Sequence, residues 1–377
     1  MSLAIDCDFD GGNIRCLAAP APDRIRLEIV PDAGGRFFQW FYFRVRGAAG
    51  RDCVLRIENA GDATYPDGWR DYRACASEDG EDWPRVATAY DGKVLTIRHR
   101  PAGDEVRFAY FAPYPMARHD ALIAGAKESP LVTARRLGKT LDGAPLDLLE
   151  IGGATPTSRT CWVIGRQHPG ESMAEWWMEG FLERLLDPAD ALAGTLLEKA
   201  RVFVVPNMNP DGSRRGHLRT NAAGINLNRA WAAPSMEESP EVYLVSRLMA
   251  RTGVDFCLDV HGDEALPYNF IAGPEGIPSY SDALARKLAR FQAALVAANS
   301  DFQTEHGYGA TPPGKANLAI CANHVAETFG CLAMTLEMPF KDAANAPDRR
   351  NGWSPARSHH LGRSSLEALA AVIDTLR

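Results

Sequence analysis

The chain lacks any apolar run near the ~20 residues that a membrane helix requires, so a helical membrane protein is excluded. It also lacks a Lys/Arg block or basic arm. With 48 acidic residues against 41 basic ones the net charge is −7, and nucleic acid is not expected as a partner. The first ten residues carry Asp6, Asp8 and Asp10 and no basic-then-apolar pattern, so no secretory signal is expected. The eight cysteines show no paired metal-ligand spacing, and Cys161, Cys257 and Cys331 sit inside apolar runs. Buried thiols in a reducing compartment explain that better than a disulfide framework, and the expected location is cytoplasmic. There is no internal repeat or low-complexity tract. What remains is a 377-residue chain, 46% hydrophobic, with room for two domains and at least one large core.

Two patterns divide it. Up to about residue 120, short alternating runs recur: 24–30, 37–45, 53–58, 93–97 and 106–111, separated by clusters such as Asp32-Ala-Gly-Gly35 and Tyr65-Pro-Asp-Gly68. Period-two segments with turn punctuation predict an antiparallel β-sandwich over 1–120. The aromatic residues around Trp40 read as core or inter-domain packing. Over 121–377 strands and helices alternate. Strands are expected at 147–151, 161–164, 201–205, 254–260 and 331–336, and helices at 173–186, 238–251, 281–298 and 364–376. That alternation predicts an α/β domain with a mostly parallel sheet flanked by helices. In such sheets the site gathers beyond the C-terminal strand ends, where His168, Asn207, His261 and Glu337 fall.

The chemistry follows from what stands at those ends. Arg166-Gln-His168-Pro-Gly-Glu171-Ser places two potential metal ligands after the run Cys161–Ile164, and His261 closes the run 254–260. Two histidines and a carboxylate are a known ligand set for catalytic zinc, with one position left open. An open site of that kind activates water at neutral pH, so a hydrolase is expected. In Met334-Thr-Leu-Glu337-Met, a carboxylate interrupts an apolar strand. Such a residue is costly unless paired, bound to metal or kept for proton transfer.

Taken in order, His-Pro-Gly-Glu-Ser, Asn-Pro-Asp-Gly, Leu-Asn-Arg, Asp-Val-His-Gly and Thr-Leu-Glu resemble the zinc metallocarboxypeptidases, specifically their cytosolic carboxypeptidase (deglutamylase) branch. Gln39-Trp-Phe-Tyr-Phe-Arg-Val45 resembles that branch's β-domain, and Tyr110-Phe-Ala-Pro-Tyr114 its domain-joining stretch. The resemblance spans nearly the whole chain. It implies that His168, Glu171 and His261 hold one zinc ion per chain and that Glu337 is the general base, taking a proton from the attacking water and passing it to the leaving amine. It implies that Arg219 stabilises the oxyanion, and that Asn228 and Arg229 grip the terminal carboxylate of a peptide or protein substrate. It further implies a mobile capping tyrosine, best matched by Tyr308 between two glycines, and a pocket floor at Lys315 that would favour acidic terminal residues. Lys315 read alone is equally a solvated loop lysine. Asp263 and Glu264 either orient ligands or are solvated acids. Asn207 and Asn209 read as turn residues, and His217, His306, His324, His359 and His360 as surface or supporting groups. Two alternatives stand beside this reading: a zinc amidohydrolase of small N-acyl amino acids, and a non-catalytic binder of peptide ends.

Overall fold

The computed structural model describes residues 2–153, 155 and 158–376. The N-terminal region forms two sheets. One has the strand order Ala4–Asp6, Tyr42–Arg46, Glu105–Ala109, Cys75–Ser77, and the other Arg15–Ala18, Ile25–Glu28, Cys53–Ile57, Leu95–His99, Ala87–Tyr90. They face each other across rings such as His99 and Phe108, whose centroids are 5.8 Å apart. All pairings are antiparallel except Ile25–Glu28 with Cys53–Ile57, which is parallel. The cause is topological: between these two strands the chain crosses to the other sheet to form Tyr42–Arg46, and it returns in its original direction. Trp40 is buried, and its Nε1 donates to the Gly11 carbonyl at 2.9 Å, in keeping with a packing role.

The second region holds a seven-stranded sheet in the order Val132–Lys139, Pro145–Ile151, Ala200–Val205, Arg159–Gly165, Phe256–Asp263, Leu332–Pro339, Phe270–Ala272. The four strands Ala200–Val205 to Leu332–Pro339 pair in parallel, and the outer pairings are antiparallel. The five expected strands are all present. Helices Met173–Leu185, Pro240–Thr252 and Asp282–Ala298 match expectation, whereas the last helix, Pro355–Val372, begins nine residues ahead of the expected start at 364. Its start carries Ser354, whose side chain accepts from Arg357 N, and a proline in the first turn, both strong helix openers. Helix Met116–Ala126 runs across the expected division at 120/121.

The two regions are tied together. Tyr110 stacks on Phe340 with centroids 4.4 Å apart, and Arg85 donates to the carbonyls of Phe340 and Trp353 at 2.8 and 3.0 Å.

Candidate active site

After the strand Arg159–Gly165 the chain turns sharply at Arg166, a non-glycine residue at φ 55°. Its side chain compensates by bracing the turn. Nε donates to the Pro169 carbonyl at 3.0 Å, Nη1 donates to the Tyr114 carbonyl at 2.8 Å, and the guanidinium pairs with buried Glu175 of helix Met173–Leu185. The braced turn presents His168 and Glu171 just ahead of that helix. On the adjacent strand Phe256–Asp263, His261 comes up beside them, and Gly262 N donates to Glu171 Oε2 at 3.0 Å. A side chain at Gly262 would not fit, because a Cβ there would lie 2.5 Å from Met173 Sδ.

His168 Nδ1 lies 2.7 Å from Glu171 Oε1, His261 Nδ1 lies 2.8 Å from Glu171 Oε2, and the two Nδ1 atoms are 3.2 Å apart. Two ligands at roughly 2.0–2.1 Å from a tetrahedral zinc lie about 3.3 Å apart; the spacing of the two Nδ1 atoms matches that, while the two N···O distances are shorter hydrogen-bond contacts that an ion would open slightly. The far ring nitrogens fix the tautomers. His261 Nε2 is 2.8 Å from Asp259 Oδ2, and His168 Nε2 is 3.0 Å from Asn226 Oδ1. With Nε2 as the donor in each ring, both Nδ1 lone pairs are left for a metal. Asp259 is itself held by Gln167 at 2.6 Å, and Gln167 by Trp231 at 2.9 Å. All three donors are buried.

Electrostatics supports the same cation. Burial lowers the pKa of His168 to about 4, with Arg219 adding to the effect. Burial pushes Glu171 up, but the two histidines pull it further down, to a firmly ionised state. Burial raises Glu337 well above the usual carboxylate range; His261 opposes the shift, while Glu171, Asp263 and Glu264 add to it. Burial likewise carries Glu264 to about 8, opposed by Arg219. Four carboxylates thus crowd one side of the site, and a divalent cation relieves that repulsion.

The parallel register sets Glu337 directly beside His261. Its Oε1 accepts from the Tyr308 hydroxyl at 3.2 Å, and its buried Oε2 has no partner among the described residues. The same hydroxyl donates to Asp263 Oδ2 at 2.7 Å. Asp263 is therefore buried rather than solvated, and it meets the Tyr308 hydroxyl, a contact that neither of the two roles open to it from sequence described. The Tyr308 ring packs edge-on against Phe270 with centroids 4.9 Å apart, and 54% of the residue stays exposed. A cavity of about 520 Å³ opens over this group, and Arg219, Asn228, Arg229 and Tyr308 line it. Neither arginine has a carboxylate within ion-pair reach among the described residues. Burial and Arg219 together lower the pKa of Arg229. Two unpaired guanidiniums in one cavity are a receptor for an anion.

Lys315 is the one expected site residue that the structure does not bring in. It sits exposed at the end of the turn Pro312–Lys315 and does not line the cavity, where Glu275 is an acid on the wall in addition to Glu171, Asp263, Glu264 and Glu337. Asn209 caps the helix Pro210–Arg215 and Asn207 donates to Glu175 at 2.9 Å, the structural roles expected of them. His217 is buried against the N-terminal domain rather than on the surface. Sequence reasoning gave no role to Asp259, Asn226, Gln167 or Tyr65. Asp259 had a usable signal: it lies two residues before His261, on the same face of the strand, and is an acid in an apolar run.

A strand-end metal triad, an acid on the next strand and an anion receptor define a metal-dependent hydrolase. Comparison with known proteins makes the class specific. Residues 5–111 match the cytosolic carboxypeptidase N-terminal domain, and residues 122–353 match the zinc carboxypeptidase family. The chain belongs to the zinc carboxypeptidase family and is a metallocarboxypeptidase whose cofactor is zinc. It is 23% identical over 379 residues to cytosolic carboxypeptidase 6 of Caenorhabditis elegans, covering 93% of this chain and 82% of that relative. The metallo-carboxypeptidase of Burkholderia cenocepacia superposes with a TM-score of 0.97 at 45% identity over 100% of both chains. That of Pseudomonas aeruginosa, solved with (2-guanidinoethylmercapto)succinic acid, superposes at 0.96 with 48% identity, covering 99% of this chain and 100% of the other. The amidohydrolase and binder alternatives are not favoured. No helix among the described residues is long and apolar enough to cross a membrane.

Proposed function

We propose that the protein removes single residues from the C-termini of peptides or proteins, with zinc held by His168, Glu171 and His261. The observation that carries this reading is the pair of unpaired arginines beside the triad. Arg229 and the Asn228 side-chain amide hold the substrate's terminal carboxylate, and Arg219 donates to the oxygen of the scissile carbonyl as charge builds there. When bound, zinc polarises that carbonyl and acidifies water. Glu337 Oε2, the unpartnered oxygen, takes the proton of the attacking water and delivers it to the leaving amine. Tyr308, tethered to Asp263 and Glu337, covers the bound end. A cytoplasmic location fits eight cysteines that are all free, six of them buried.

The test compares a free-acid peptide with its C-terminal amide on the zinc-loaded enzyme, with a chelator control. Losing the charge-assisted contact costs roughly 2–5 kcal/mol if the pair is desolvated, so kcat/KM should fall by at least about 30-fold. Equal kcat/KM for both peptides removes the docking role.

Two readings of the terminal side chain compete, each with its own observation. Acidic ends are supported by Lys315, which shares a loop with Tyr308 and with the cavity-lining Gly309, Ala310 and Thr311. Cationic ends are supported by Glu275, which lines the cavity and has no ion-pair partner among the described residues. The Pseudomonas aeruginosa relative's ligand carries both a succinic acid and a guanidine, and so does not separate them. A peptide series differing only in its last residue decides. If Lys315 governs, Glu and Asp ends lead and Lys315→Glu inverts the order of acidic and basic ends. If Glu275 governs, Arg and Lys ends lead and Glu275→Gln erases the lead.

A further inference from the structure

Arg219 stands on the turn His217–Thr220, and that turn is held from the N-terminal domain. Asp32, between the strands Ile25–Glu28 and Tyr42–Arg46, is 3% exposed and has no ion-pair partner among the described residues. Its Oδ1 accepts from Leu218 N at 2.7 Å, and its Oδ2 from Arg219 N at 2.8 Å, Thr220 N at 2.9 Å and Thr220 Oγ1 at 3.0 Å. Three consecutive backbone N–H groups wrapped on one carboxylate fix the orientation of the peptide planes on both sides of Arg219. The far side of the turn meets the metal loop, where Gly170 N donates to the Leu218 carbonyl at 3.0 Å.

The guanidinium is bounded by the same domain. Its carbon lies 5.3 Å from the ring centroid of Tyr65 and 6.0 Å from that of Phe37. Tyr65 also lines the cavity, and its backbone is paired in both directions with the Gln39 side chain, at 2.8 and 3.1 Å. A buried carboxylate without a counter-ion, held by hydrogen bonds alone, is an expensive way to glue two domains, because an apolar contact would serve without the desolvation cost. It is well suited to setting the direction of a neighbouring backbone.

We propose that Asp32 is a positioning residue for Arg219, so that the N-terminal domain, with Tyr65 beside the guanidinium, is a working part of the catalytic centre. This rests on the role given to Arg219 above. A side chain misplaced by about 1 Å can lose about 10²-fold in rate, so Asp32→Ala should lower kcat by about 10- to 100-fold in folded, zinc-loaded protein. KM should change less than kcat, because the contact strengthens as charge develops.

The discriminating experiment is a double-mutant cycle on kcat, with zinc content and melting temperature measured for every variant. Arg219→Ala alone should lose about 10²- to 10³-fold in kcat, the usual loss for an oxyanion donor. Adding Asp32→Ala to Arg219→Ala should then change kcat by less than about twofold, because the residue it serves has gone. Asp32→Asn, a milder change at the same contacts, goes through the same cycle and decides the matter if Asp32→Ala does not fold, while Tyr65→Leu tests the wall beside the guanidinium in the same way. Losses that multiply, or Asp32 variants that melt lower but keep wild-type kcat, make Asp32 a structural tie and overturn the proposal. Undiminished kcat in Arg219→Ala refutes the catalytic role of Arg219 itself, a failure distinct from that of the clamp.

Discussion

Glu337→Gln should keep its zinc and lose about 10²- to 10⁴-fold in kcat, the range expected when a positioned proton carrier is removed. The argument is geometric. Glu337 stands beside the triad on the neighbouring strand, opposite His261 in register, while the three buried donors converge without it. Glutamine has nearly the same shape and retains the oxygen that accepts from Tyr308, so the cavity should persist. It also removes a buried charge that three nearby carboxylates already disfavour, and the melting temperature should hold or rise. Elemental analysis, a melting curve and kcat on one preparation check all of this. Near-wild-type kcat with full zinc would assign the proton to another group.

How legible the protein was in its sequence depended on the kind of signal. The central strands carry unbroken apolar runs such as 202–205 and are buried on both faces, and these were found with little error in position. The edge strands were not. Arg15–Ala18 is mostly exposed, and Phe270–Ala272 is three residues long, so neither has an alternation to read. The run 37–45 became a strand only at Tyr42–Arg46, because its first residues spend their backbone on loops, Phe38 N donating to Thr64 Oγ1. In the site, residues at strand ends were found because an acid or histidine there breaks an apolar run. Asp32 and Tyr65 lie more than 150 positions before Arg219 in turn-rich sequence, where an aspartate or tyrosine has a local explanation. Only the docking of the two domains gives them another. Lys315 shows the converse: the resemblance implied a pocket floor there, but the side chain is exposed and does not line the cavity, and its direction was not legible in the sequence.

His261→Ala should yield protein without bound zinc and without measurable turnover, the largest effect expected of any single change. Removing one of three ligands leaves His168 and Glu171 alone on one braced turn, too few to hold the ion against buffer. The contrast that makes this specific lies behind the ligand. Asp259 accepts from His261 Nε2 and from Gln167, and it touches no donor atom of the metal site. Asp259→Asn keeps an oxygen for the imidazole but loses the charge that makes its Nδ1 a stronger base. Zinc affinity should then fall by about 10- to 100-fold rather than vanish. Competition against a chelator of known affinity measures the second variant, and elemental analysis the first. Full zinc occupancy in His261→Ala would break the triad assignment. Unchanged affinity in Asp259→Asn would leave the triad standing and show that imidazole orientation is set by strand packing alone, with Asp259 only satisfying a buried N–H.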